Sequence, residues 1–187
     1  MSRLFALATV AALAVTHPAR AAVDIVEVES PGGVTAWLVE EPALPFVALE
    51  ILFRGGTSLD DPDARGAVNL MTGLLEEGAG ELDARGFAEA RDDLAVSFRF
   101  SASDDEISVS AEFLTDVTDE AVALLRSVLV EPRFDEDAVE RVRAQVLSGL
   151  RSDAEDPGEI AAETFAAMLY DDHAYGSNGK GTSPKKS

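Results

Sequence analysis

The chain has 187 residues, enough for one domain with a core of its own, and 47% of them are apolar. Thirty-five acidic residues stand against 15 basic ones, a formal charge of −20, and such a chain repels nucleic acid and anionic membrane surfaces. Cysteine is absent, which excludes disulfide scaffolds, thiolate zinc sites and cysteine nucleophiles, and His17 and His173 are the only histidines.

Residues 1–21 read as a secretory signal: Arg3 supplies the basic start, Leu4 to Val15 an apolar stretch, and Ala19-Arg20-Ala21 the small-x-small cleavage pattern. Cleavage after Ala21 would remove His17 and leave a periplasmic protein with no membrane insertion. All the lysines (Lys180, Lys185, Lys186) crowd into residues 180–187. That composition switch predicts a disordered Lys-rich tail, of the kind a truncated or frameshifted reading frame produces, after a domain over residues 22–179.

Within that domain, Ile25 to Glu29 and Val34 to Glu40 read as strands around a Pro31-Gly32-Gly33 turn. Phe46 to Arg54 reads as a third, largely buried strand ended by Gly55-Gly56. Asp60-Asp61-Pro62-Asp63 offers a cap and first-turn acids to a helix whose Ala67, Leu70, Met71, Leu74 and Leu75 repeat at i, i+3, i+4, i+7 and i+8. Gly78-Ala79-Gly80 stops it. A short helix from about Asp83 to Leu94 precedes two alternating strands, one with Val96, Phe98 and Phe100 on a face, the other with Ile107, Val109, Ala111 and Phe113. Thr118 or Asp119 then caps a helix stopped by Pro132, with Ala121, Leu124, Leu125 and Val128 inward. Asp135 opens a longer one with Val139, Val142, Val146 and Leu150 inward, and Pro157 starts the last, through Tyr170. Strands grouped before helices, without βαβ alternation, predict an α+β fold: an antiparallel or mixed sheet flanked by helices.

Isolated motifs carry little chemistry. Arg54-Gly55-Gly56-Thr57 is too short for a phosphate loop, and Ser58, Ser101 and Ser110 have no histidine to serve as base. Glu76-Glu77 and Asp104-Asp105-Glu106 lack the calcium-loop pattern and read as solvated charge. His173, beside Asp171 and Asp172, reads as a structural loop histidine.

Order and spacing say more. A strand, Gly-Gly-Thr, an acidic Pro loop and then the helix from Gly66 to Gly78, followed by a helix pair, a hairpin, His173-Ala174-Tyr175-Gly176 and Gly181-Thr182, resemble the N-terminal portion of the pitrilysin or insulinase-like zinc peptidases. The resemblance implies a pitrilysin-like architecture, here incomplete. In active members the helix carries His-x-x-Glu-His, two zinc-binding imidazoles and a general base, and a later helix adds a Glu ligand. Here Asn69, Thr72 and Gly73 stand at the three motif positions, and Gly149 falls near the fourth. Asn and Thr are poor zinc ligands and glycine offers none.

On a helical wheel Asn69, Thr72, Gly73 and Glu76 lie opposite the apolar stripe, so this face, Glu76 included, would line the equivalent cavity without metal. Taken alone, it is also what the polar side of any amphipathic helix looks like. Two helix-interior glycines at facing family positions favour a lost site, since mid-helix glycine costs about 1 kcal/mol relative to Ala.

The resemblance thus implies a peptidase homologue with no catalytic residue, no metal and no cofactor of its own, zinc being carried by a partner. The expected role is that of a non-catalytic subunit joining an active His-x-x-Glu-His subunit of the same family around unfolded or extended peptides. The alternative is a peptide-binding or structural module without a peptidase partner. Ending before the strands that complete such a sheet, the chain is expected to leave an apolar sheet edge unpaired and to gain stability from a partner.

Overall fold

A computed structural model describes residues 23–182. The expected signal segment with its cleavage point, His17, Lys185 and Lys186 lie outside the described residues. The chain separates between Leu44 and Pro45 into two compact units where the sequence suggested one domain. The join runs through Pro42 and Pro45, neither of which has an N–H to donate to a sheet.

The first unit is a hairpin. Strand β1 (Val26–Glu29) pairs antiparallel with β2 (Thr35–Leu38), from Val26 opposite Leu38 to Glu29 opposite Thr35. Gly33, at φ +81°, makes the turn, and the Ser30 hydroxyl accepts the N–H of Val34 at 3.0 Å. Every residue of both strands is exposed, including Trp37 at 80%.

The second unit is built on a three-stranded antiparallel sheet in the order β3 (Phe46–Arg54), β7 (Glu106–Leu114), β6 (Ser97–Ala102). Register puts Val47, Leu49 and Ile51 opposite Phe113, Ala111 and Val109, and the last two face Phe98 and Phe100 across the other ladder. Side-chain alternation therefore gathers all these apolar groups on one face. The reverse face mixes polar groups with the exposed Phe46, Leu52 and Leu114; on it Ser110 Oγ donates to Glu50 Oε2 (2.5 Å) and Ser101 is bonded to Ser108 (2.7 Å). Contrary to the sequence reading, β3 is not largely buried: Phe46, Leu52 and Phe53 are about half exposed. It lies at one edge of this sheet and β6 at the other, so a continuous apolar run here does not mean burial on both faces.

Over the apolar face lie helices α2 (Ala84–Leu94) and α3 (Thr118–Val130). The Asp83 side chain caps α2 by accepting Gly86 N–H at 2.8 Å. Phe87 from α2 and Val128 from α3 are fully enclosed, in one cluster with Phe98, Val109, Phe113, Ala121 and Leu125. The start of α3 differs from expectation: a 3₁₀ turn, Thr115–Val117, leads in, and Thr118 is already helical, its hydroxyl bonded back to Thr115 O.

Helix α1 (Ala67–Leu74) lies between the sheet and helix α4 (Glu136–Asp153). Its Leu75 end joins the main cluster, while Leu74 packs with Ala138 and Val142 of α4, flanked by Leu70, Val139 and Val146. Two-residue strands β4 (Gly78–Ala79) and β5 (Leu82–Asp83) follow α1, and Ala79 bridges to Pro132, tying this loop to the α3–α4 connection. Last comes α5 (Pro157–Tyr170), capped by Asp156, none of whose residues is buried. Its outer stripe of Ala161, Phe165, Met168 and Leu169 is solvent-exposed. Among the described residues no helix is long and apolar enough to cross a membrane.

Lys180, where the tail was expected to begin, is held by named contacts. Lys180 Nζ is 2.8 Å from Asp153 Oδ2, its N–H bonds Asn178 Oδ1, and Gly181 packs against Arg65 and Gly66. Residues 183–187 lie outside the described residues.

Candidate zinc-site equivalent

The loop before α1 sets the helix in place. Gly66 adopts φ +93° as N-cap, and the buried Asp60 carboxylate accepts both Gly66 N–H (2.8 Å) and Val68 N–H (3.0 Å). Orphan donors at a helix N-terminus thus satisfy a buried acid, and the acid complements the helix dipole. Asp61 caps the separate 3₁₀ turn Pro62–Ala64 instead.

Asn69 is half-buried, with its carbonyl accepting the Thr72 hydroxyl at 2.9 Å. Thr72 is buried at 5% exposure, so the face expected to be open and polar is in part an interior one. The reason is packing on two sides, against β6 and against α4, which a wheel drawn for one core cannot show. Gly73 faces α4: a Cβ built there would stand 3.0 Å from Val142 Cγ1. Gly149, also on α4, is exposed, and a Cβ there would meet nothing within 4 Å.

Glu76 lies beyond the helix that carries Asn69, Thr72 and Gly73. Helix α1 ends at Leu74 with Leu75 as C-cap, so residue 76 is off the wheel, and its carboxylate is ion-paired with Arg91 of α2. Neighbouring Glu77 reaches Arg141 of α4 at 2.5 Å, and this hydrogen bond and charge push the guanidinium further above its ordinary value. Sequence reasoning missed both pairs, because partners 15 and 64 positions away leave no local signal.

These residues do not fit a zinc ion. Thr72 spends its hydroxyl on the helix backbone, neither glycine has a donor, and one amide is not a coordination set. Among the described residues no group of three or more His, Cys, Asp or Glu is gathered to hold a metal.

His173 sits far from this helix in role. Its Nδ1 accepts Tyr175 N–H at 3.2 Å, and its ring meets that of Tyr175 edge-on at 4.5 Å. Tyr175 OH donates to both oxygens of Asp105 (2.6 and 2.7 Å), a bond that raises the phenol pKa and fastens this turn to the β6–β7 connection. The motif is thus a strut between distant loops.

Residues 36–182 match the pattern of the insulinase family, peptidase family M16. The chain belongs to this family. Among its relatives is the "non-peptidase homolog YmxG" of Helicobacter pylori, 34% identical over 131 residues, which are 70% of this chain and 30% of that protein. A solved relative is the "peptidase M16 inactive domain" of Pseudomonas fluorescens, 27% identical with a TM-score of 0.79, covering 85% of this chain and 39% of that one. The chain therefore spans about a third of the length of the relatives it matches. Over that stretch it is an M16 homologue with Asn69, Thr72 and Gly73 on α1 and Gly149 on α4, and its α+β architecture is that of the family.

The two glycines should respond oppositely to alanine. Gly149→Ala adds a methyl to an exposed helix interior in open space and should stabilise by about 0.5–1 kcal/mol. Gly73→Ala has the same propensity gain but presses on the buried Val142, and should come out near neutral or destabilising. Urea titrations of both variants check this; equal stabilisation by the two would show that α1 and α4 do not approach closely at Gly73.

Proposed function

We propose that this chain is a non-catalytic subunit of a periplasmic zinc peptidase, joining an active M16 chain that bears His-x-x-Glu-His and helping to enclose extended peptides. The observation that carries the reading is a family helix pair, α1 on α4, kept and packed while positions 69, 72, 73 and 149 hold no zinc ligand or base. Support comes from the naming of one relative as a non-peptidase homologue and another as an inactive domain. The leader-like residues 1–21 support export.

Alone, the purified protein should carry no stoichiometric zinc and cleave no peptide. Mixed with an active M16 chain from the same organism, it should co-elute in size-exclusion chromatography and raise that chain's peptidase rate. Zinc near one per chain after dialysis would sink the non-catalytic reading. Peptide binding that proceeds without co-elution would favour a stand-alone binding module.

A further inference from the structure

A cavity of about 340 Å³ opens between the N-terminal end of α1, the outer half of α4 and the loop at Lys180–Thr182, and none of the four degenerate zinc positions lines it. Its floor is apolar, from Leu70 on α1 and Leu147 and Leu150 on α4. Its charged lining is wholly basic: Arg65, Arg143 and Lys180 contribute and no acid does. In a chain with more than twice as many acids as bases, that local reversal sets the cavity apart from the rest of the surface.

The cations are only partly engaged. Arg143 pairs with Glu140 on its own helix and Lys180 with Asp153, whereas Arg65 gives one N–H to the Thr57 carbonyl at 3.2 Å and joins none of the ion pairs among the described residues. A guanidinium has five donors, so Arg65 retains capacity for a carboxylate. One end of the cavity is fixed by a backbone crossing: a Cβ on Gly66 would lie 2.6 Å from Lys180 O, and one on Gly181 2.9 Å from Arg65 O. An apolar floor with a few polar groups at one side is the usual make-up of a small-molecule site, and this volume is at the lower end of such sites.

We propose that this cavity binds a carboxylate joined to a medium-sized apolar group, with the apolar part on Leu70, Leu147 and Leu150 and the carboxylate among Arg65, Arg143 and Lys180. A medium-chain fatty acid and the C-terminal apolar residue of a peptide share this chemistry. The site does not depend on the subunit role proposed above.

Calorimetric titration of the full chain with octanoate and with acetyl-Gly-Leu distinguishes the two sources by which binds more tightly. The neutral counterparts octanol and acetyl-Gly-Leu-amide should bind about tenfold more weakly, the scale of one charge-assisted hydrogen bond. Arg143→Gln, which removes a surface cation, should weaken the carboxylates several-fold. Leu147→Trp should fill the cavity and abolish binding with the circular dichroism unchanged; if it unfolds the chain, Val146→Phe replaces it. Absence of saturable carboxylate binding overturns the proposal. So does equal binding of the neutral counterparts, or binding undiminished in a folded cavity-filled variant.

Discussion

Replacing Phe87 with alanine should cost about 3–5 kcal/mol, the range for emptying a large aromatic site in a core. Phe87 has no exposed surface, its ring centroid lies 6.4 Å from that of Phe98, and the Arg91 guanidinium sits 5.9 Å from its centre. It is the buried residue of α2, with Ala90 and Leu94 packed beside it on the same cluster, and α2 also holds Arg91 against Glu76 beyond the end of α1. Collapse around the gap is resisted from several sides, by Val109 on the sheet and Val128 on α3, both also enclosed. For a unit of this size the loss corresponds to a fall of roughly 10–20 °C in Tm. Thermal unfolding followed by far-ultraviolet circular dichroism measures it, and a fall of only a few degrees would mean that the α2 layer is loosely attached.

Gly56→Ala should be as damaging, for a reason unrelated to burial of apolar surface. A Cβ at this position would stand 2.0 Å from Ser103 O and 2.9 Å from Glu106 N, both backbone atoms of the β6–β7 turn. Gly55, Thr57 and Ser58 donate their N–H groups to Asp105 O, Ser103 O and Asp104 O, at 2.6, 2.9 and 3.0 Å. A methyl forces the loop off the turn and breaks this set; at about 0.5–1.5 kcal/mol net per bond, and with strain added, the loss is on the order of 2–5 kcal/mol. Hydrogen exchange should show the amides of residues 55, 57 and 58 losing protection before the β3–β7 ladder does. Unchanged protection there would show that the loop does not lean on the turn.

The parts of this fold that local periodicity governs could be read from sequence. Phe98 and Phe100, then Val109, Ala111 and Phe113, alternate as a one-face-buried strand must, and all five are buried. Ala121, Leu124, Leu125 and Val128 likewise mark the inner side of α3. What failed depended on neighbours remote in sequence. Phe46 and Leu52 alternate onto the face away from Val47, Leu49 and Ile51, where Leu114 of the central strand is exposed too, and Phe53 sits near the end of an edge strand; no pattern within residues 46–54 encodes this. Strands β4 and β5 are two residues each and exist by virtue of each other and of the bridge to Pro132.

The same limit applied at the site. Identities at 69, 72, 73 and 149 could be read directly, and Asn, Thr and Gly there are poor or absent zinc donors. The burial of Thr72 and the contact of Gly73 with Val142 needed the second layer that α4 supplies. Gly73 consequently has a packing role that stands beside any history as a lost ligand position.

Trp37 is the chain's one tryptophan, and it stands on the exposed β1–β2 hairpin, outside the unit that holds Phe87 and Val128. Its fluorescence is therefore that of a solvated indole already in the folded protein, and emission on titration with denaturant will barely register the loss of the Pro45–Thr182 core. A flat tryptophan trace beside a sigmoidal circular-dichroism trace would thus be the signature of normal cooperative unfolding, not of a molten chain. Moving the reporter, for instance by Phe98→Trp in a Trp37→Phe background, gives the core an optical signal of its own.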